Sequence, residues 1–278
     1  MSQLDRYAVL GQPIKHSKSP RIHRLFAEQT GQHLSYSAEE VAPEQFRAVV
    51  ADFFASGGKG LNCTVPLKEL AWAYAEYTSE RARLSKAVNT LSVHTDGKIF
   101  GDNTDGVGLI TDLKHNHHLQ LSGLSVLILG AGGATRGIIA PILAEQPKQL
   151  VIANRTLAKA MQLADDFKTE GTLAACGLDA LNNQVFDLII NATSASLSQD
   201  LPALPDTVLA TNGVCYDLAY ANQATPFVQW GYEHGARHSL DGLGMLVEQA
   251  AEAFFIWRGV RPDTQPVIAL LNAERVAL

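Results

Sequence analysis

The sequence predicts an α/β protein of two domains, the second built on a doubly wound parallel sheet. Three observations carry this. Short apolar runs alternate with amphipathic helical stretches along most of the chain, the pattern of strands and helices in alternate layers. The alternation restarts, more regularly, near Ser125. The run Ser125–Leu129 passes directly into Gly130-Ala131-Gly132-Gly133, a tight turn that feeds a helix, as in a Rossmann-type unit.

The elements follow in order. Tyr7–Gly11 reads as a strand ending in a glycine turn. Pro20 opens a helix with Ile22, Leu25 and Phe26 on one face, closed near Gly31. Ser35–Val41 is a second strand. Pro43 begins a helix carrying Phe46, Val49, Val50 and Phe53 at helical spacing and stopped by Gly57-Gly58. Gly60–Val65 is strand-like, and Pro66 is placed to start a helix. Val88–Val93 and Lys98–Gly101 form a hairpin around Asp96-Gly97. A helix from about Gly106 to Asn116 follows. In the second half, strands at 125–129, 149–153, 172–175, 187–191, 213–217 and 236–239 interleave with helices at 134–145, 156–167 and 226–234. The tail is helical: Leu246, Ala250, Phe254 and Trp257 make one apolar stripe, and 264–276 is a last helix. Boundaries near Asp105 and Leu240 divide the chain into a domain of residues 1–105, completed by 241–278, and a domain of residues 106–240.

Composition narrows the function. Of 278 residues, 46% are hydrophobic and 18% charged, which suits one large or two ordinary globular domains. The formal net charge is −6 and no basic block occurs, which argues against nucleic acid as a partner. No apolar run approaches the roughly 18 residues of a membrane span. Met1–Arg6 has no apolar leader pattern. Cys63, Cys176 and Cys215 lie far apart without ligand spacing, as reduced thiols of a cytoplasmic protein do. His115, His117 and His118 invite a metal, but they sit at a helix end, where imidazole suits exposed carbonyls, and no metal is expected.

The glycine turn is the first chemical motif. Gly130 permits the tight turn, and Gly132 lets backbone approach a pyrophosphate at the positive end of the helix. Thr135 stands where the strict fingerprint has its third glycine, and taken alone the motif also reads as a βα turn with no ligand. The next strand ends in Asn154-Arg155-Thr156 with Lys159 one turn on, where NAD-binding sites usually carry an acid. A guanidinium offers bidentate donors to a phosphate, so the missing acid and the two cations favour NADP over NAD. A solvated residue at a helix start is the other reading of Arg155.

The second motif pairs Asn62-Cys63-Thr64-Val65-Pro66-Leu67-Lys68 with Asp102-Asn103-Thr104-Asp105-Gly106. A lysine and a carboxylate can share proton-transfer work, and with a dinucleotide they suggest an alcohol or ketone oxidoreductase. Alone, Lys68 reads equally as a surface lysine, and Asp105 as the N-cap of the following helix.

The ordered set decides between these. Ser17-Lys18-Ser19-Pro20, Asn62-x-Thr64-x-Pro66-x-Lys68, Ala87-Val88-Asn89-Thr90, Asp102–Gly106, the glycine turn, Asn154-Arg155-Thr156, Asn191-Ala192-Thr193, Tyr216-Asp217-x-x-Tyr220 and Asp241-Gly242-Leu243-Gly244-Met245-Leu246-x-x-Gln249-Ala250 resemble the shikimate dehydrogenase family over nearly the whole chain. The resemblance implies reversible NADPH-dependent reduction of 3-dehydroshikimate to shikimate, on the route to chorismate and aromatic amino acids. It implies a cleft between the two domains and Lys68 and Asp105 as catalytic residues. Ser17 and Ser19 would bind the substrate carboxylate, and Asn62, Thr64, Asn89, Tyr220 and Gln249, with Lys68 and Asp105, the rest of the substrate. Cofactor contacts would come from Gly130, Ala131, Gly132, Gly133, Ala134, Asn154, Arg155, Thr156, Lys159, Leu218 and Gly242, with a weaker one from Glu80. The protein would be a monomer or homodimer.

The chain departs from the family's usual pattern at Cys63 and Leu67, where valine and phenylalanine are more usual, and at Lys86, where glycine is frequent. Two rivals remain at this stage: a quinate/shikimate dehydrogenase, often NAD-dependent, and a non-catalytic NADP sensor on the same fold.

Overall fold

The computed structural model describes residues 4–193, 195 and 200–276. Met1–Gln3, part of the leader argument, and Ala277–Leu278, at the end of the tail, lie outside them. The chain divides into two compact units. One runs to Gly108 and adds Leu246–Leu271; the other is Leu109–Met245 plus the residues from Asn272.

The first unit contains β1 (Asp5–Gly11), α1 (Ser19–Thr30), β2 (Leu34–Glu40), α2 (Phe46–Ala55), β3 (Gly60–Cys63), α3 (Lys68–Tyr74), β4 (Tyr77–Thr78), α4 (Glu80–Ser85), β5 (Thr90–Val93) and β6 (Ile99–Asp102). The strands form one mixed sheet in the order β2-β1-β3-β5-β6-β4. β1 runs parallel to β2 and β3, whereas β5 is antiparallel to both β3 and β6. Period-two alternation sorts β1: Ala8 and Leu10 join Phe46, Val50, Leu67 and Ala71 in one core, while Tyr7 stacks on Trp257 from the other face.

The second unit contains the last turn of α5 (Asp105–Thr111), which begins in the first unit, then β7 (Ser125–Leu129), α6 (Gly133–Ala144), β8 (Gln149–Ala153), α7 (Leu157–Asp166), β9 (Leu173–Cys176), β10 (Phe186–Asn191), β11 (Leu209–Asp217), α8 (Pro226–Glu233) and β12 (His238–Leu240). Its sheet has the order β12-β11-β10-β7-β8-β9 with every pairing parallel. The chain starts at β7, steps outward through β8 and β9, then returns to β10 on the other side. The switch point therefore falls between β7 and β10, where a doubly wound sheet opens its ligand crevice. α9 (Leu243–Arg258) starts in the second unit and continues into the first, and α10 (Gln265–Val276) completes the chain.

Several local expectations needed adjustment. Pro66 does not start a helix: Leu67 N–H bonds to Thr64 C=O at 2.7 Å, closing a turn, and α3 begins at Lys68. The helix expected through Asn116 is α-helical only to Thr111, and Asp112–Asn116 widens into a π turn. There the Asp112 carboxylate accepts from Asn116 Nδ2 at 2.7 Å and from Tyr216 Oη at 2.6 Å. β4 and α4 are too short to leave a periodic signal. Ser79 marks α4 nonetheless, its Oγ accepting from Ala82 N–H at 3.2 Å. Lys86, which ends α4, has φ +50° and ψ 34°, a left-handed conformation that glycine adopts without penalty.

Candidate active site

Strand pairing brings the polar residues of the first unit together. Asn62 pairs with Thr90 and Thr90 with Asp102. Because β5 is antiparallel to both neighbours, its start meets the ends of β3 and β6 at one edge of the sheet. Asn62–Thr64, Asn89 and Asn103–Asp105 therefore converge, and α3 sets Lys68 beside them.

The geometry is a chain of hydrogen bonds. Lys68 Nζ donates to Asp105 Oδ2 at 2.5 Å, the two side chains being 16% and 8% exposed. Asp105 Oδ1 accepts from Asn89 Nδ2 at 2.9 Å. Asn89 Oδ1 accepts from Thr104 N–H at 2.9 Å, which fixes the amide orientation. Asn62 Nδ2 donates to Asn89 C=O at 3.0 Å, and Tyr36 Oη donates to Asn62 Oδ1 at 2.6 Å. Gln249 on α9 lies at the same place, its Oε1 3.2 Å from Asn89 Nδ2 and 3.3 Å from Thr104 Oγ1. The Asp105 side chain thus serves Lys68 and Asn89 rather than capping α5. Asp102, nearby, is committed to structure: Arg81 grips both its oxygens, at 2.7 and 2.8 Å.

Ser17 and Ser19 open α1. Ser19 N–H donates to Ser17 Oγ at 3.3 Å, and the buried Ser19 hydroxyl engages Tyr36. Thr64 packs its methyl against Gly11, where a Cβ would stand only 2.5 Å away. Burial pushes the Cys63 thiol up to about 12 despite the Lys68 charge, which leaves it unfit as a nucleophile. Tyr220 lies beyond β11, in the second unit.

The second unit carries the dinucleotide candidates at the carboxyl end of β7. Gly130 has φ +102°, and a Cβ there would meet the Ala192 backbone at 3.1 Å. Gly132 and Gly133 border open space at the start of α6, leaving the first-turn N–H groups accessible to an anion. Thr135 replaces the third glycine without strain by turning its hydroxyl back to donate to Gly130 C=O at 2.9 Å. Asn154 Nδ2 donates to Thr156 C=O at 2.8 Å, shaping the turn into α7. Arg155 and Lys159 are exposed, and neither side chain has a hydrogen-bond or ion-pair partner among the described residues. Gly242 presses on Leu218: a Cβ would stand 2.2 Å from its carbonyl oxygen. These features fit a phosphorylated dinucleotide. Glu80 lies in the first unit, exposed and 3.9 Å from Arg83.

Comparison with known proteins settles the family. Residues 9–91 match the profile of the shikimate dehydrogenase substrate binding domain, 112–199 that of shikimate/quinate 5-dehydrogenase, and 242–271 that of the shikimate 5'-dehydrogenase C-terminal domain. The chain is 62% identical over 275 residues to the shikimate dehydrogenase (NADP(+)) of Methylococcus capsulatus, covering 99% of each. The chain belongs to the shikimate dehydrogenase family. Among solved structures, an Ael1 enzyme from Pseudomonas putida superposes with a TM-score of 0.89 at 49% identity, covering 96% of this chain and 98% of that one. The shikimate 5-dehydrogenase of Thermus thermophilus, solved in complex with NADP(H) and shikimate, gives a TM-score of 0.85 at 34% identity over 99% of this chain and 100% of that one. Motif reading passed over Tyr36, which bonds Asn62, and gave no role to Thr104, which bonds Asn89, although it lies within a quoted motif. The signal for Tyr36 was a phenol placed mid-strand in an otherwise polar edge strand.

Proposed function

We propose that Lys68 and Asp105 are the proton-transfer pair of this shikimate dehydrogenase, with the substrate held by the first unit and NADP by the second. The family makes the chain an NADP-dependent oxidoreductase acting on a CH–OH group, interconverting 3-dehydroshikimate and shikimate on the route to chorismate. The observation that carries the site is the continuous chain from Asn62 through Asn89 and Asp105 to Lys68.

When bound, NADPH supplies the hydride that reduces the substrate ketone. Lys68 donates the proton to the alkoxide oxygen that forms, and its positive charge stabilises that oxygen beforehand. In the reverse direction it accepts the proton. Asp105 holds the ammonium in place and, with Asn89 and Gln249, offers acceptors and donors to substrate hydroxyls. Ser17, Ser19, Asn62, Thr64 and Tyr220 complete the substrate contacts, the two serines taking the carboxylate. Gly130–Ala134, Asn154–Thr156, Lys159, Leu218 and Gly242 hold the cofactor, with Glu80 as a minor contact. Arg155 and Lys159 receive the 2′-phosphate, which disfavours the NAD-linked quinate alternative. Retention of both Lys68 and Asp105 disfavours a non-catalytic sensor.

No helix among the described residues is long and apolar enough to cross a membrane. We place the enzyme in the cytoplasm, as a monomer or homodimer. The test of the function is nicotinamide reduction with shikimate against quinate, each with NADP and NAD. Turnover confined to shikimate with NADP is expected. Preference for quinate or for NAD would replace this reading.

A further inference from the structure

Gln249 is weakly held by the cluster it joins. Its Oε1 meets Asn89 Nδ2 at 3.2 Å and Thr104 Oγ1 at 3.3 Å, at or beyond the long end of the usual range. The donor is also oversubscribed. The two protons of Asn89 Nδ2 face Asp105 Oδ1 and Thr104 Oγ1, each at 2.9 Å, as well as Gln249 Oε1. Gln249 Nε2 turns back to Leu246 C=O in its own helix, at 2.9 Å. Bonds to the cluster therefore do not fix this side chain; the seat of α9 does.

Apolar packing seats α9 through the fully buried Val247, Ala250, Ala251 and Phe254. Such packing chooses the inward face but is non-directional. Directional ties set the rest. Near the end of the helix, Trp257 Nε1 donates to Leu91 C=O at 3.1 Å. Nearer Gln249 the tie is Arg81. Its Nη2 donates to Glu252 Oε1 at 3.0 Å, while Nε and Nη2 hold the two Asp102 oxygens at 2.7 and 2.8 Å. Glu252 stands three residues on from Gln249, so both lie on one face of α9. Asp102 ends β6, and its Oδ1 accepts from Asn103 N–H at 2.7 Å, at the head of the segment that carries Thr104 and Asp105. The guanidinium thus joins the same two elements whose side chains meet at Thr104 and Gln249. Its planar fork serves both carboxylates at once, which the point charge of a lysine does not. We propose that Arg81 is a positioning residue for the substrate site: by gripping Asp102 and Glu252 together it sets how α9 stands against the end of β6, and so holds the Gln249 amide at Asn89 and Thr104. This rests on the reading of Gln249 as a substrate contact.

The test measures KM for shikimate and for NADP, turnover and Tm in Glu252→Ala, Arg81→Lys, Gln249→Ala and the double variant Gln249→Ala with Glu252→Ala. Arg261→Ala is the control, because Arg261 is exposed and pairs with the other Glu252 oxygen. Glu252→Ala frees α9 while Arg81 stays on Asp102. It should raise the shikimate KM about three- to tenfold, the range of one hydrogen bond, with the NADP KM within about twofold. Arg81→Lys should do the same. A purely structural tie would lower Tm and leave both KM values unchanged in assays run below it. The double variant should bind shikimate no worse than Gln249→Ala alone, because both changes remove one contact. A Glu252→Ala enzyme with wild-type shikimate KM overturns the proposal, as do multiplying losses in the double variant. An equal rise in Arg261→Ala overturns it too, since the effect would then not run through Arg81. If Glu252→Ala does not fold, Arg81→Lys with wild-type shikimate KM is equally decisive against it. Gln249→Ala with wild-type shikimate KM would instead remove the reading of Gln249 itself.

Discussion

Replacing Lys68 with Met removes the ammonium while keeping most of the aliphatic stem. The hydride step leaves negative charge on the substrate oxygen, and Lys68 is the one strong proton donor within the converging cluster. General acid catalysis accounts for a factor of about 10²–10⁴, which is about 3–5 kcal/mol of transition-state stabilisation. The structure also sets a stability cost. With the 2.5 Å bond gone, Asp105 Oδ2 loses its donor while Oδ1 keeps Asn89. Stranding one partner of a fully buried pair costs about 3–5 kcal/mol, and the 16% exposure of Lys68 admits water, which places the loss at about 3 kcal/mol or below. Turnover should therefore fall by at least about two orders of magnitude, with shikimate binding changed far less. Asp105→Asn should harm turnover and binding together, and the double variant should fall well short of the summed losses, as expected of groups acting as one unit. Shikimate-dependent nicotinamide reduction, run well below each variant's Tm, measures all three. Turnover of Lys68→Met within about tenfold of wild type would refute the argument, because no general acid of the usual size could then be at work.

Four further outcomes are expected. Arg155→Ala should weaken NADP by about 1.5–3 kcal/mol, the size of a charged hydrogen bond, and leave NAD nearly unaffected; equal losses would remove the phosphate assignment. Ser17→Ala with Ser19→Ala should raise the shikimate KM and spare that of NADP, whereas unchanged shikimate affinity would send the carboxylate elsewhere. Lys86→Gly relieves a left-handed residue, and its gain, up to about 1 kcal/mol after glycine's entropic penalty, should raise Tm by about 2–3 °C. Cys63 and Cys215 keep their protons in the folded protein from the ordinary 9.0 up to about 12, so the unfolded chain binds fewer protons in that window and stability falls as pH rises through it. The slope is about 1.4 kcal/mol per pH unit for each thiol, and Cys63→Val should remove one such share from alkaline unfolding curves.

Much of this was legible in the chain itself, for physical reasons that differ by element. The second unit read clearly because its central parallel strands, β7, β8 and β10, are buried on both faces along most of their length. Ser125–Leu129 is therefore a continuous apolar run, and a glycine turn at its end has few other uses. The first unit read less clearly where its sheet turns mixed. β4 has two residues and α4 six, too few for either period to show. The π turn at Asp112 was invisible, since what distinguishes it is contacts with residues distant in sequence: Tyr216 bonds its carboxylate across 104 positions, and a Cβ on Gly244 would meet the same carboxylate at 2.0 Å. Lys86 was legible as an anomaly, a lysine where glycine is frequent, and its positive φ supplies the cause.

The site shows the same division. Residue types were readable, because a lysine and a carboxylate in short motifs can share proton-transfer work. Their connection was not, because it runs through strand register. Asn62, Asn89 and Asp105 are joined only because β5 lies antiparallel between β3 and β6 and brings three separated motifs to one edge. That placement has a chemical consequence. Lys68 sits at the start of α3, where the helix dipole disfavours a cation. A carboxylate at 2.5 Å, itself held by an amide whose orientation Thr104 N–H fixes, offsets that penalty and directs the ammonium. The proposed acid, Lys68, is therefore positioned by a carboxylate that the sheet places, rather than by its own helix. Substitutions that shift β5 register should damage turnover without touching Lys68.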